Sequence, residues 1–247
     1  MNRPSSAERA RTMTYGLFPG ELNLPSLDQT YVSAYAADDR GRPLFLAADA
    51  APLARAVTTA SGTGVSAALR VTALYPVAIP DRVRGRAWLE GRLSQVPEQE
   101  QAGASCRIAD VHPWPELLDV GAGWSLLRME VAEVRVQDGF GFARVEPEEY
   151  GVTGPDPFVA VGDELVTHLD RGHGTEARVL YARLDQWAAE RAEEVRLVAL
   201  DRYGLWLRVR HGARCDIERL TFDGPACDLD DLRRAFRRLR AQHMSPR

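Results

Sequence analysis

The chain has 247 residues, of which 45% are apolar and 27% charged, a globular composition that excludes a disordered or low-complexity protein. All 31 basic side chains are arginine, so the chain lacks the lysine that a pyridoxal phosphate Schiff base or a phosphate-binding P-loop requires. With 35 acidic side chains the net charge is −4, which argues against broad binding to nucleic acid.

The first 150 residues are predicted to form one domain, which begins with a helix at 5–14 capped by Ser5 or Ser6. Residues 15–30, which contain Pro19, Gly20 and Pro25, are predicted to be loop or irregular edge. The predicted strands are 30–36, 43–47, 65–74, 83–96, 124–137 and 140–145, with short helices at 50–60 and near 115–120 and loop over the rest of 97–123. Short turns and glycines within long strands favour an antiparallel, partly closed barrel over a flat sheet.

Residues 151–162 are rich in glycine and proline and are predicted to link this domain to a C-terminal α+β domain at 163–247. The predicted elements of the second domain are helices at 163–170 and 175–194, strands at 195–200, 205–210 and 215–222, and a final helix from Asp228 to about His243.

The sequence also predicts a cytoplasmic protein. No run approaches the ~18 apolar residues of a membrane span, and the first residues lack the apolar stretch of a secretion signal. Cys106, Cys215 and Cys227 are odd in number and far apart, which fits neither a disulfide framework nor a metal knuckle. A reducing compartment is the simplest interpretation.

Several short motifs, in a definite order, resemble those of the HugZ-type haem-utilisation family. They are residues 42–48 with the helix after them, residues 82–91, the hairpin at 138–143, the His-Leu-Asp-Arg-Gly-His run at 168–173, the turn at 201–204, and residues 217–222 and 228–232. The resemblance implies a mainly β, antiparallel split barrel of the pyridoxamine-phosphate-oxidase-like, FMN-binding type, followed by a small α+β domain. It also implies a role in haem metabolism. Plant relatives of this architecture resemble regulators that bind glutamyl-tRNA reductase, which implies a role in the haem pathway without implying catalysis.

The chain departs from these relatives at two places. Relatives often carry a histidine after the second strand, where this chain has none between residues 49 and 55. Flavin oxidases of this fold hold the FMN phosphate with arginine, lysine and hydroxyl side chains, and this chain has no lysine. Haem is therefore the favoured cofactor and FMN the less favoured one.

Histidines are the candidate iron ligands, ranked His168, His173 and then His243, and no metal other than a haem iron at His168 is expected. The first two come from the motif that resembles the family, and a ligand must be held by packed elements. On one helix they would point about 140° apart, unless Gly172 interrupts it. The alternative is structural: a histidine at a helix junction, or His243 complementing the end of the last helix.

Two groups of arginines are candidate anion sites. Arg82, Arg84 and Arg86 alternate, so they share one face of their strand if no bulge intervenes, and they suit a phosphate or a haem propionate. The last helix has a basic surface of Arg233, Arg234, Arg237, Arg238 and Arg240. Pairing with Asp230 and Asp231 is the simpler interpretation of that surface, and binding of propionates or an acidic protein is the alternative.

Three functions are consistent with the sequence. The first is haem binding or haem-iron handling, with or without oxygen-dependent opening of the ring. The second is a non-enzymatic regulator of a haem-biosynthetic enzyme such as glutamyl-tRNA reductase, and the third is an FMN-dependent oxidoreductase. Whether the protein is an enzyme is left open. A split barrel leaves an apolar seam, so we expect a homodimer.

Overall fold

The computed structural model describes residues 2–25, 27–32, 35–60, 64–172 and 174–241. The chain forms two compact units. The barrel unit contains Ser5–Leu74 and Val83–Pro155, and the C-terminal unit contains Asp156–Arg247 together with Met1–Pro4 and Tyr75–Arg82. We call Tyr75–Arg82 the connector, because it leaves one barrel strand and returns to the next.

Eight strands form the sheet of the barrel unit. They are β1 Gly20–Leu24, β2 Leu27–Val32, β3 Tyr35–Ala37, β4 Pro43–Ala48, β5 Val65–Leu74, β6 Val83–Gln95, β7 Trp124–Asp138 and β8 Gly141–Val145. Their order is β2-β1-β5-β6-β7-β4-β3, with β8 paired to β7, and the pairs are antiparallel. The predicted fold class, an antiparallel split barrel followed by a small α+β domain, is confirmed.

Side chains alternate between the two faces of this sheet, as the period of two in a strand requires. On β6, Ala87, Leu89 and Leu93 are fully buried in the barrel core, whereas Arg86 and Arg92 on the outer face are exposed. The alternation explains why the bounds predicted for β5 and β6 agree with the structure.

The helices of the barrel unit are α1 Ser6–Met13, α2 Pro52–Thr59, α3 Glu98–Ala109, the 3-10 helix Pro115–Asp119 and α4 Pro147–Val152. The predicted cap of α1 is confirmed, because the Ser5 side chain accepts a hydrogen bond from the Glu8 amide.

One prediction in this unit holds in part and another is wrong. Residues 15–30, predicted to be loop or irregular edge, contain β1 and most of β2, which lie at one edge of the sheet with a register shift between Leu22 and Leu24. The predicted loop after β6 contains α3, which buries only Ala104 and Ile108 and therefore has too narrow an apolar stripe to be recognised.

One part of the outer sheet face is covered and another is open. Helix α3 and the 3-10 helix pack on the outer face of β3, β4 and the start of β7 through Ala36, Leu44, Leu126 and Ile108. The outer face of β1, β5, β6 and the second half of β7 carries exposed polar side chains instead. We call this second region the open face.

The C-terminal unit contains α5 Gly162–Gly172, α6 Gly174–Tyr181, α7 Gln186–Arg191, β9 Glu194–Asp201, β10 Gly204–His211, β11 Arg214–Thr221 and α8 Leu229–Ala241. The strands form an antiparallel sheet in the order β11-β10-β9. The single helix predicted at 175–194 is wrong: it is interrupted before Asp185, whose side chain caps α7 by accepting from the Ala188 amide. The predicted end of the last helix near His243 lies outside the described residues.

The connector completes the core of the C-terminal unit. Val77 and Ile79 are 3% and 7% exposed and pack in that core. Its two ends are joined, since the Tyr75 amide donates to the Arg82 carbonyl at 2.7 Å and the Arg82 guanidinium donates to the Tyr75 carbonyl at 3.1 Å. Arg196 on β9 holds the middle of the connector by donating to the Ala78 carbonyl at 2.6 Å.

A buried hydroxyl network joins α1 to α4. The Tyr150 hydroxyl donates to the Gly41 carbonyl at 2.8 Å and lies 2.8 Å from the Thr14 hydroxyl. Burial raises the pKa of Tyr150 to about 12 and also raises the pKa of the fully buried Tyr35, so both phenols are neutral in the folded protein at physiological pH.

We expect this network to make the protein sensitive to alkali. Because the folded pKa of Tyr150 lies above its ordinary value near 10, the stability it contributes is complete below pH 10 and is lost as pH rises through about 12. At pH 11 the loss is about 1.4 kcal/mol in the free energy of unfolding. Denaturant unfolding at pH 9 and pH 11 should show a smaller alkaline loss for Tyr150→Phe than for the parent, and equal losses would contradict this assignment.

Candidate functional site

The predicted iron ligand His168 lies on α5 and is exposed. It borders an open depression of about 570 Å³ that is lined only by residues of the same helix, including Asp163, Glu164 and Arg171. An axial haem ligand needs walls on both sides of the ring, and a depression formed by one helix does not enclose it. His173 and His243 lie outside the described residues.

Two acids near His168 in the sequence, Asp170 and Glu176, are held by arginines. Asp170 accepts from the Arg196 guanidinium through both oxygens, at 3.0 and 2.5 Å. The hydrogen bonds to Asp170 raise the pKa of Arg196. Glu176 lies 3.3 Å from the Arg240 guanidinium. Both carboxylates therefore stabilise the packing of the C-terminal unit.

The three alternating arginines do not lie on one uninterrupted strand. Arg82 belongs to the connector and donates to Tyr75. The register of the pairing between β5 and β6 shifts between Gly85 and Val83, so Arg84 lies in a bulge. Arg86 lies beyond the bulge on the open face and is exposed, and it has no ion pair among the described residues.

The open face has a row of charged and aromatic side chains that crosses neighbouring strands. Arg70 on β5, Trp88 on β6 and Arg135 on β7 are opposite one another, with Glu21 at one end of the row. Arg70 pairs with Glu21, and Arg135 pairs with Glu90. The half-buried Trp88 ring is thus flanked on both neighbouring strands by an arginine that a carboxylate already holds.

The next row toward the β7–β8 hairpin contains an arginine whose charge no described carboxylate neutralises. It brings Arg86 beside Gln137 and Phe142, and the Phe142 side chain is 62% exposed. Two aromatic rings and one arginine without an ion pair in the described part of the chain therefore lie on adjacent rows of the open face.

A groove of about 610 Å³ runs along the same face. Small residues, among them Ala68, Gly91 and Ala132, line it between the charged side chains of Arg92 and Glu133. Ala132 is the extra residue of a bulge in β7 where it passes Gly91. A smaller depression of about 210 Å³, which includes Arg70 and Trp88, shares Asn23, Ala68 and Glu90 with the groove and so continues it.

This arrangement suits binding of a flat, anionic ring. Trp88 offers an aromatic surface for stacking, the small residues leave space beside it, and arginines match carboxylates or phosphates. The described residues contain no cluster of three or more side chains suited to hold a metal ion. None of the described helices has the length and apolar character needed to span a membrane.

The described residues of the open face offer a ring surface and arginines, but no histidine ligand for a haem iron. Of the five histidines, His112 alone belongs to the barrel unit, and it lies in the segment between α3 and the 3-10 helix with its ring nitrogen 2.9 Å from the Gly16 carbonyl. No described strand of the open face carries a histidine. Stacking on Trp88 and arginine–propionate contacts are the interactions that the described residues offer.

Trp88 and the groove were not found by sequence reasoning. Trp88 lies within the motif at 82–91, but it has the same alternating pattern as any strand residue. Its position between Arg70 and Arg135 depends on the register of three strands. The only sequence feature that indicated an unusual surface on β6 was the presence of two glycines, Gly85 and Gly91, within the strand.

Comparison with known proteins shows the fold but no family. No family model and no curated protein matches the sequence. A solved heme-binding protein from Mycobacterium smegmatis is similar over 98% of both chains, with 23% identity and a TM-score of 0.68. A protein of unknown function from Agrobacterium tumefaciens matches 95% of both chains at 20% identity with a TM-score of 0.47. An F420 reductase matches 53% of this chain and 98% of its own, at 12% identity with a TM-score of 0.38. The likeness to the first shows that the two-part fold occurs as a whole in another protein, and the two lower scores carry no argument.

Proposed function

We propose that the protein binds a tetrapyrrole of the haem class on the open face of the barrel, as a HugZ-like haem-handling protein would. The observation that carries the proposal is the groove beside Trp88, which combines an aromatic ring, a small-residue floor and nearby arginines. The heme-binding protein from Mycobacterium smegmatis, which shares the fold over its length, supports the choice of ligand class. Bound haem would supply redox chemistry at its iron, while this chain orients the ring and holds its carboxylates.

The proposal differs from the sequence hypothesis in its choice of residues. Stacking on Trp88 replaces ligation by His168, which is exposed and borders a depression formed by α5 alone. Arg86 is the arginine of the predicted set that lies on the open face with no ion pair in the described residues, so it is the side chain best placed to meet a propionate. A homodimer remains part of the proposal, because a second copy over the open face would exclude water from the groove.

Titration of the full chain with haem and with iron-free protoporphyrin tests this proposal. We expect both to bind with similar affinity, because stacking and arginine contacts do not require iron. Trp88→Ala should weaken both at least tenfold, about 1.4 kcal/mol, which lies in the range of a stacked aromatic pair. Arg86→Gln should weaken both by a smaller factor.

Two control variants separate this site from others. Trp187→Ala removes a tryptophan of the C-terminal unit that is 67% exposed, and His168→Ala removes the predicted iron ligand. Neither should change binding. Loss of haem binding in His168→Ala, with protoporphyrin unbound by the parent, would reject stacking in favour of iron ligation. Titration with FMN tests the flavin alternative, and a protein that binds none of the three ligands would favour the regulator hypothesis.

A further inference from the structure

A small cavity in the C-terminal unit lies between α8 and the loop that follows β11. Its volume is about 110 Å³, and its lining combines the apolar residues Phe222, Ala226 and Leu239 with charged residues. These three side chains are 3%, 2% and 7% exposed, so the walls belong to the packed core of the unit. The cavity is far smaller than the groove on the barrel, and the two have no lining residue in common.

Two arginines one helical turn apart line this cavity. Arg234 donates a hydrogen bond to one oxygen of Asp231, so the charge of Arg234 is neutralised. The other oxygen of Asp231 accepts a hydrogen bond from the Cys227 amide at 3.0 Å. Arg238 has no ion pair among the described residues. Asp223 is the other acid of the lining and is exposed to solvent. The cavity thus combines an apolar part of its lining with one exposed guanidinium, which makes no ion pair with a described carboxylate but interacts electrostatically with Asp231.

The loop that forms the other wall is held at both ends. The Asn2 side-chain amide donates to the carbonyls of Phe222 and Asp223, at 3.3 and 3.0 Å. The Ala226 amide donates to the Arg202 carbonyl at 2.7 Å. A ligand would therefore find the cavity formed, without having to order the loop.

We propose that this cavity binds a small carboxylic acid with a short apolar tail. The planar guanidinium of Arg238 matches a carboxylate with two parallel hydrogen bonds. Inorganic phosphate has no apolar part that could cover Phe222 and Leu239, so it should bind more weakly than such an acid. The small volume, about 110 Å³, favours a short acid such as butyrate over a larger one. This site does not depend on the function proposed for the barrel.

NMR titration of the isotope-labelled full chain with butyrate tests the proposal. The amides of the loop between Phe222 and Ala226 should shift and saturate, and Arg238→Gln should raise the dissociation constant at least tenfold. Arg237→Gln is the matched control, because it removes the same charge from the neighbouring residue, which does not line the cavity, and it should change the constant less than twofold. Asp223→Asn should tighten binding, since it removes a like charge.

Three results would overturn the proposal. They are shifts that rise with butyrate without saturating, equal losses in Arg237→Gln and Arg238→Gln, and shifts of equal size with phosphate at the same ionic strength. Each would mean that α8 attracts anions only through its general positive charge. Unchanged amide spectra away from the loop would show that both variants fold, so a loss of binding cannot be assigned to unfolding.

Discussion

Replacing Val77 with aspartate is expected to destabilise the C-terminal unit by about 4 kcal/mol. The substitution removes a buried apolar side chain, worth about 2 kcal/mol, and places a carboxylate among the apolar side chains of that core. Val77 lies in the connector, yet it is 3% exposed and packs with the C-terminal core. Hydrogen exchange read by mass spectrometry should show faster exchange in β9–β11 than in the parent.

Ala78→Asp is the matched control for this prediction. Ala78 is the next residue of the connector and is exposed, and its contact with Arg196 is made by the backbone carbonyl. A surface substitution of this kind changes stability by about 0.5 kcal/mol or less. If the two variants unfold alike, the connector does not contribute to the core of the C-terminal unit.

The connector also bears on how the protein can be divided. A fragment that begins at Asp156 would lack Val77 and Ile79, which complete the core of the C-terminal unit. It would also lose the partner of Arg196 at Ala78. The C-terminal unit is therefore continuous in space but not in sequence, and expression of residues 156–247 alone would leave an apolar surface exposed.

The sequence predicted those elements whose signal is local. Strand β5 agrees with its predicted bounds because Ala67, Leu69 and Val71 alternate with polar or small residues along the whole strand. The capping of α1 by Ser5 and the three strands of the C-terminal unit are local in the same sense. Such patterns can be recognised in the sequence without knowing what the element packs against.

Features that depend on distant residues could not be predicted. The connector looks like a loop, because Pro76 and Pro80 flank its apolar residues, and only the tertiary structure shows that Val77 and Ile79 are core. In the same way, nothing near Trp88 in the sequence indicates that Arg70 and Arg135 lie beside it. The candidate site on the barrel is a product of strand register, whereas His168 was chosen from a short motif alone.

Substituting Gly91 by alanine should weaken both the barrel and the groove. A Cβ atom at this position would lie 1.9 Å from the Glu130 carbonyl oxygen and 3.1 Å from the Val131 Cα, so the backbone of β7 would have to move. Overpacking of this kind costs about 3 kcal/mol. The β7 bulge at Ala132 lies beside Gly91 and lines the groove with it, so tetrapyrrole binding should fall together with stability.

Gly103→Ala is the control with the opposite expected sign. Gly103 lies inside α3 with open space where its Cβ would be, so alanine should stabilise the helix by about 1 kcal/mol through its higher helix propensity. Denaturant unfolding of the two variants measures both effects in one protein. If Gly91→Ala were as stable as the parent and bound tetrapyrrole equally well, β7 would not pass close to β6 at the bulge. The groove on the open face would then have a different floor, and the site proposed beside Trp88 would lose its structural basis.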